Sequence, residues 1–244
     1  MRSAQALAAD LQSIFGQRLR TVVIYGAHAR PHLRPVRVPV QTAALVDEIS
    51  YADLSACAER ADRWLKAGLE VPLLLPAREF TRALDVFPLE YGDIIEHHVV
   101  VFGDHPFAGQ LVAADDLRRA CEVQARGHLI HLREGFLLAG HDAEALARLV
   151  TASAGPFASL MEAFTRVTGG PRDATPAMMA AHAQQAAGLP ATLIERLLSI
   201  EEDAALDAAE AVQLYPPYLD LLHALVAFVD AWHPDEAAPG ATSR

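Results

Sequence analysis

The fold of this chain is decided by the stretch Val22-Val23-Ile24-Tyr25-Gly26-Ala27-His28-Ala29-Arg30. Four consecutive β-branched or aromatic residues predict a strand that is covered on both faces. Gly26 then interrupts the strand, and backbone can approach a ligand closely there because no Cβ intervenes. A strand, a glycine and a helical turn commonly hold a phosphate, because free backbone N–H groups point at the anion. The stretch therefore predicts an anion-binding turn that uses Gly26, Ala27, His28 and Arg30.

Residues 1–110 have the pattern of an α/β domain with a small mixed sheet and flanking helices. The hydrophobic spacing predicts an amphipathic helix over 4–15 and strands over 20–25, 38–46 and 71–75. Pro39 restricts the second strand to an edge or to a strand start. Further helices are predicted from Ser50 or Asp53 to about 69 and over 76–84, and a β-rich segment is predicted over 89–102.

Residues 111–235 predict an all-α domain, a helical bundle, because no strand-like run occurs after residue 113. Helices are expected from Asp115 or Asp116 to 138, from Asp142 to about 168, and over 176–187, 190–200 and 204–232. The last of these is expected to be interrupted near Pro216 and Pro217. Residues 236–244 are small and polar and predict a flexible tail.

The charge distribution narrows the possible function classes. The net charge of −11 argues against a general nucleic-acid binder. No acid occurs between residues 11 and 46, whereas five arginines do, and three of them, Arg30, Arg34 and Arg37, lie in or just after the turn. These arginines could bind a nucleotide, a phosphate or an RNA backbone, or could simply face solvent. Short apolar runs and a terminus without a secretory signal predict a cytoplasmic protein that does not engage a membrane.

Three features of the chain carry a resemblance to a known family: the helix before the first strand, residues 22–30, and the segment Phe87-Pro88-Leu89-Glu90-Tyr91-Gly92-Asp93-Ile94. Together they resemble the nucleotidyltransferase-fold superfamily, which includes DNA polymerase β and the kanamycin nucleotidyltransferases. More closely, the chain resembles small bacterial nucleotidyltransferase-like proteins with an all-helical C-terminal part. Gly26 and Arg30 match the family's apolar-Tyr-Gly-Ser-x-Ala-Arg-Gly motif. Ala27 replaces its serine and Pro31 replaces its second glycine.

The resemblance also implies a pair of acids that this chain lacks. In the family an Asp-x-Asp pair on the next strand holds two Mg²⁺ ions, which bridge the nucleotide phosphates. The aligned strand supplies Pro39 and Gln41, or Val38 and Val40 if the register slips. Asp47, at the far end of that strand, lies roughly 20 Å away at ~3.3 Å per residue. We therefore expect a degenerate active site without a bound metal.

A third acid completes the family's site and helps to activate the nucleophile. Glu90 and Asp93 are the candidates for it, since both lie in the family-like segment. Read as part of a strand, they point to opposite faces, so only one of them could face the site. Surface charge or a local cap explains the same two residues equally well.

Two other patterns have weaker support. His97 and His98 are adjacent, so on a strand they point apart and cannot chelate one metal ion together. Arg126 and His131 fit the Arg-x4-His pattern of helical HEPN ribonucleases, but this spacing does not place the two side chains on one helix face. An ordinary amphipathic helix is the preferred interpretation there.

The resemblance and the Arg126–His131 pattern together leave three functions open, and fold alone does not choose among them. The first is a catalytically inactive relative that binds a nucleotide, a nucleic acid or a protein partner. The second is an active enzyme that uses ATP and Mg²⁺ to transfer a nucleoside monophosphate to a hydroxyl of a small molecule or protein, with acids supplied from elsewhere, for example Glu90 or Asp93. The third, more distant, is a HEPN-like ribonuclease. No cofactor is expected under the first function, and the helical domain could bind a protein partner or a second copy of the chain.

Overall fold

The computed structural model describes residues 1–30, 38–200 and 206–233. The chain divides into two compact units, one spanning Met1–Ala113 and the other beginning at Ala114. The first unit contains the sheet, and the second is helical in the part that the structure describes. Two predictions fall outside the described residues. They are the flexible tail, residues 236–244, and the anion-binding arginines Arg34 and Arg37.

The sheet brings the end of its first strand together with the beginnings of the other three. Its strands are β1 Leu19–Tyr25, β2 Gln41–Val46, β3 Leu73–Pro76 and β4 His98–Gly103, in the order β3-β2-β1-β4. β1 is antiparallel to both β2 and β4, while β2 and β3 are parallel. Tyr25 is consequently opposite Gln41 on one side and His98 on the other.

Helices cover both faces of this sheet. They are α1 Arg2–Phe15, α2 Tyr51–Lys66, α3 Ala77–Arg82 and α4 Pro88–Glu96. Val22 packs in a buried cluster with residues of α1 and α2. Val23 packs in a second cluster with Phe80 of α3 and Ile94 of α4. The prediction of a strand covered on both faces is therefore confirmed.

One predicted cap fixes α2 to the start of β1. The Ser50 side chain accepts a hydrogen bond from the backbone of Asp53, whose carboxylate in turn accepts one from the Ser50 backbone at 2.8 Å. Both terminal nitrogens of Arg18 donate to the Asp53 carboxylate, at 2.8 and 2.7 Å. These hydrogen bonds, led by those from Arg18, hold the pKa of Asp53 far below its usual range.

The second unit consists of packed helices in the part that the structure describes. They are α5 Ala114–Ala139, α6 Ala143–Val167, α7 Pro176–Ala187, α8 Ala191–Leu198 and α9 Ala208–Ala231. α5, α6 and α9 contact one another, and α6 also contacts α7 and α8. A buried hydrogen bond of 2.6 Å joins His128 of α5 to Tyr218 of α9. Burial lowers the pKa of His128 to about 4.

The predicted interruption of α9 at Pro216 and Pro217 is wrong, because both prolines lie inside one continuous helix. Their neighbours Tyr215 and Tyr218 are buried, and this packing offsets the backbone hydrogen bonds that proline cannot make. By length and composition alone α9 could cross a membrane. Here it packs against α5 and α6, as the core helix of a folded unit does.

Both cysteines of the chain are buried free thiols. Cys57 lies on α2 in the first unit, and Cys121 lies on α5 in the second. Burial raises the pKa of both thiols, to about 12 for Cys121. Neither thiol therefore carries the negative charge that a reactive cysteine needs.

Candidate functional site

The turn at the end of β1 has the backbone form that the sequence predicts. Gly26 has a φ of +67°, in the region where a residue without a Cβ is favoured. Residues Gly26–Ala29 then form a short 3₁₀ turn that carries Ala27 and His28. A Cβ on Gly26 would collide with the side-chain oxygen of Gln41. The positive φ therefore favours glycine at this position, and any Cβ would also displace the end of the Gln41 side chain.

Gln41 occupies the start of β2, where the resemblance implies a metal-binding acid. Its amide Nε2 donates a hydrogen bond of 3.3 Å to the carboxylate of Glu70. Glu70 lies just before β3, and β2 and β3 are parallel, so their starts lie at the same edge of the sheet. The turn therefore faces an amide and one carboxylate that interact with each other.

Arg30 forms the second interaction of the site. Its Nη2 donates to Asp93 Oδ1 at 2.6 Å, and the same oxygen lies 3.0 Å from Nδ1 of His97. The three side chains are 15%, 22% and 11% exposed, so the cluster is largely shielded from water. The predicted anion-binding arginine is therefore already in contact with a carboxylate, which partly neutralises its charge.

Tyr25, opposite Gln41 in the sheet, is close enough to Glu70 and Asp93 to be affected by the charges of both. It is half-buried, and burial, followed by the charges of Glu70 and Asp93, raises the pKa of its phenol. On the other side of β1, Nδ1 of His98 donates a hydrogen bond of 3.1 Å to the Ile95 carbonyl. Burial, together with the neighbouring His105, lowers the pKa of His98. Both rings are accordingly held uncharged at neutral pH.

The predicted strand at Glu90 and Asp93 is wrong. Both residues lie on helix α4, Pro88–Glu96, and not on opposite faces of a strand. Pro88 favours the first turn of a helix, and the buried residues Tyr91 and Ile94 follow a helical spacing. Asp93 contacts Arg30, whereas Glu90 is exposed to solvent.

The remaining predicted residues fall in three groups. Gly26, Ala27, His28 and Arg30 lie on the turn itself, and Arg34 and Arg37 fall outside the described residues. Asp47 binds Arg20 at 2.6 Å, at the opposite end of β1 from Gly26. Sequence reasoning missed Glu70. Glu70 follows Leu69, which pairs with Val40 just before β2. Only the parallel pairing of β2 with β3 would have indicated that Glu70 lies near Gln41.

Arg126 and His131 do not form a joint site. Arg126 donates to Glu122 at 2.8 Å and lies 3.1 Å from Asp230. His131 is 81% exposed and lies 3.5 Å from Glu134. Each residue of the predicted ribonuclease pattern therefore has its own acidic neighbour on the surface.

The residues at the β1 turn do not fit a pair of Mg²⁺ ions. Such ions require oxygen ligands of high negative charge, and the start of β2 supplies an amide. Asp93 is held by Arg30 and His97, and residues 31–37 contain no acid. Within residues 1–30, 38–200 and 206–233, no three His, Cys, Asp or Glu side chains cluster so as to hold a metal ion.

Comparison with known proteins identifies the fold. No protein-family model and no curated protein matches the chain. Among solved structures it is similar to the spectinomycin adenyltransferase AAD(9) from Enterococcus faecialis, solved with ATP and spectinomycin. The TM-score is 0.56 at 11% identity, over 92% of this chain and 98% of the other. The chain has a nucleotidyltransferase-like fold. The predicted architecture, an α/β domain followed by a helical one, is thereby confirmed.

Proposed function

We propose that this nucleotidyltransferase-like protein does not transfer nucleotides and instead binds a nucleotide without Mg²⁺. The observation that carries the proposal is the hydrogen bond between Gln41 and Glu70. An amide carries no charge and donates its N–H to the adjacent carboxylate, so the start of β2 lacks the paired acids of a two-metal site. Without metal ions to neutralise charge, in-line phosphoryl chemistry at this turn lacks its main source of transition-state stabilisation.

Three features support binding of a nucleotide. The turn after Gly26 follows a buried strand at the edge where the starts of three other strands meet. Arg30 places a guanidinium beside that turn, a group suited to a phosphate. No acid occurs from residue 11 to residue 46, so the sequence on both sides of the turn carries basic charge without any acidic charge.

Thermal unfolding with ATP or GTP, in EDTA and in Mg²⁺, tests both parts of the proposal. We expect the same stabilisation by nucleotide in either condition, because ligand binding to the folded state raises its unfolding temperature. Arg30→Gln should abolish that shift. Arg20→Gln is the matched control, since Arg20 forms an exposed pair with Asp47 at the other end of β1.

Other outcomes would overturn the proposal in distinct ways. Stabilisation that requires Mg²⁺, or label transfer from α-labelled nucleotide to a hydroxyl or a protein side chain, would identify an active nucleotidyltransferase. No shift with any nucleotide would point to a nucleic acid or a protein as the partner. Cleavage of RNA that is lost in His131→Ala would instead support the ribonuclease interpretation.

A further inference from the structure

Helix α5 exposes an apolar line on the side that faces away from its own core. Val123, Ile130 and Leu137 are spaced seven residues apart and are 72%, 49% and 80% exposed. A seven-residue repeat keeps side chains on one slowly turning stripe of a helix, as in the seam between two packed helices. Among the described residues of the second unit, none buries this line. Four of the five buried residues of α5 lie on the opposite side, Cys121, Ala125, His128 and Leu132, and the fifth, Leu129, lies beside them.

The two flanks of this line differ in charge. Arg126 and Arg133 each follow a member of the line by three residues, lie on one flank and are exposed. Gly127 and Glu134 each follow a member by four residues and lie on the other flank. Apart from its chain neighbours and the backbone of α5 around it, no atom of the described residues lies within 4 Å of where a Cβ of Gly127 would be. Arg126 is already paired with Glu122 and Asp230, and Arg133 contacts the His223 ring of α9, so the uncompensated charge of this flank is that of Arg133. The other flank contains a gap and an acid.

We propose that this face of α5 binds the same face of a second copy of the chain, with the two helices parallel and related by a twofold axis that runs along them. Each member of the apolar line then meets its own counterpart, with Ile130 against Ile130 at the centre. One surface supplies both halves of the interface, as an isologous dimer requires.

Charge complementarity selects this occupant and this direction. A twofold axis along the helices brings the basic flank of each copy beside the other flank of its partner. Arg133 of one copy then lies beside Glu134 of the other, and Arg126 lies over the gap at Gly127. In an antiparallel pair each flank would meet itself, so Arg133 would lie beside an Arg126 that Glu122 and Asp230 already neutralise, and Glu134 would lie beside Gly127. Neither Arg133 nor Glu134 would then gain a partner of opposite charge. Only the parallel pair therefore provides two equivalent Arg133–Glu134 contacts.

Cross-linking of the full-length chain tests the direction. In the parallel dimer each member of the line meets itself, so V123C alone and L137C alone should each give a linked dimer with a short bis-maleimide. The buried thiols Cys57 and Cys121 provide a low background. A link that forms only when V123C and L137C chains are mixed would show an antiparallel pair and refute the proposed geometry.

Sedimentation and light scattering test the interface itself. The wild-type chain should be a dimer at micromolar concentration, and I130E should be a monomer with unchanged circular dichroism. V212E, at an exposed apolar position on α9, is the control and should remain dimeric. A monomeric wild-type chain would overturn the proposal, whether this face is covered by another segment of the chain, by a different protein or by water.

A charge swap separates the interface from an effect on folding. E134R should weaken the dimer at least tenfold, because it places a second positive charge beside Arg133 of the other copy. R133E/E134R should restore the wild-type affinity, since it reverses the contact without removing it, and a loss of folding could not be repaired in this way. An unchanged dimer in E134R, or no recovery in the double swap, would refute the assigned contacts.

Discussion

Asp93→Asn should raise the affinity of this protein for a metal-free nucleotide while lowering its stability. The Asp93 carboxylate lies 2.6 Å from Arg30. A phosphate bound on the other side of the guanidinium would therefore lie about 6 Å from that carboxylate. One unit of negative charge at that distance is repelled by about 0.7 kcal/mol in a medium like water and by about 3 kcal/mol at an effective dielectric constant of about 20.

The intermediate burial of the pair places the effect between these limits. A gain of about 1.4 kcal/mol, or about tenfold in affinity, is therefore expected for each unit of ligand charge near Arg30. The substitution also removes a partner from both Arg30 and His97. Because the three side chains are only partly exposed, the free energy of unfolding should fall by about 1–2 kcal/mol.

Calorimetric titration with ATP in EDTA measures the affinity, and denaturant unfolding of the same samples measures the stability. Glu90→Gln is the matched control, because Glu90 is exposed on the same helix and its loss should change neither quantity. An affinity that is unchanged or reduced in Asp93→Asn would show that the nucleotide phosphate does not bind at Arg30.

Three further predictions concern the framework of the two units. Gly26→Ala should lower the free energy of unfolding by about 1–3 kcal/mol, because residue 26 has a positive φ and the new Cβ collides with Gln41. Adding Gln41→Ala should recover part of that loss. Equal stability of the Gly26→Ala variant and the double variant in denaturant unfolding would contradict the collision. Asp53→Ala should cost about 1 kcal/mol or more, because it removes the Asp53 half of the α2 capping box and the hydrogen bonds from Arg18 while Ser50 still caps the helix. A wild-type melting temperature would show that these bonds contribute little. The pKa of His128 lies below that of an unfolded histidine, so stability should fall by up to about 3 kcal/mol as the pH drops from about 6.5 to about 4. His128→Asn should remove this part of the pH dependence, and an identical pH profile of unfolding in that variant would refute the assignment.

The architecture could be predicted from local patterns, because the sheet and most helices obey simple periodicities. β1 is a run of apolar residues covered on both faces, and the helices of the second unit repeat their apolar residues at helical spacing. One error arose at the two prolines of α9, where packing outweighs a local signal, and the other arose where the pattern was short. α4 has nine residues with β-branched isoleucines near its end, which resemble the strand that follows.

The site was only partly predictable, since half of it depends on pairing between distant segments. The missing acids and the turn at Gly26 could be recognised along the chain. The contact of Arg30 with Asp93 spans 63 residues, and that of Gln41 with Glu70 spans 29. Both depend on which strands are neighbours, and composition does not determine strand order.

The two buried thiols give the protein one chemical reporter in each unit. Cys57 and Cys121 can react with a thiol reagent only when α2 or α5 opens, because burial protects both sulfurs in the folded state. The labelling rate of each cysteine, followed by peptide mass, therefore measures the opening free energy of the sheet unit and of the helical unit separately. A nucleotide bound at the β1 turn should slow the labelling of Cys57 first, and a second copy bound at α5 should slow that of Cys121.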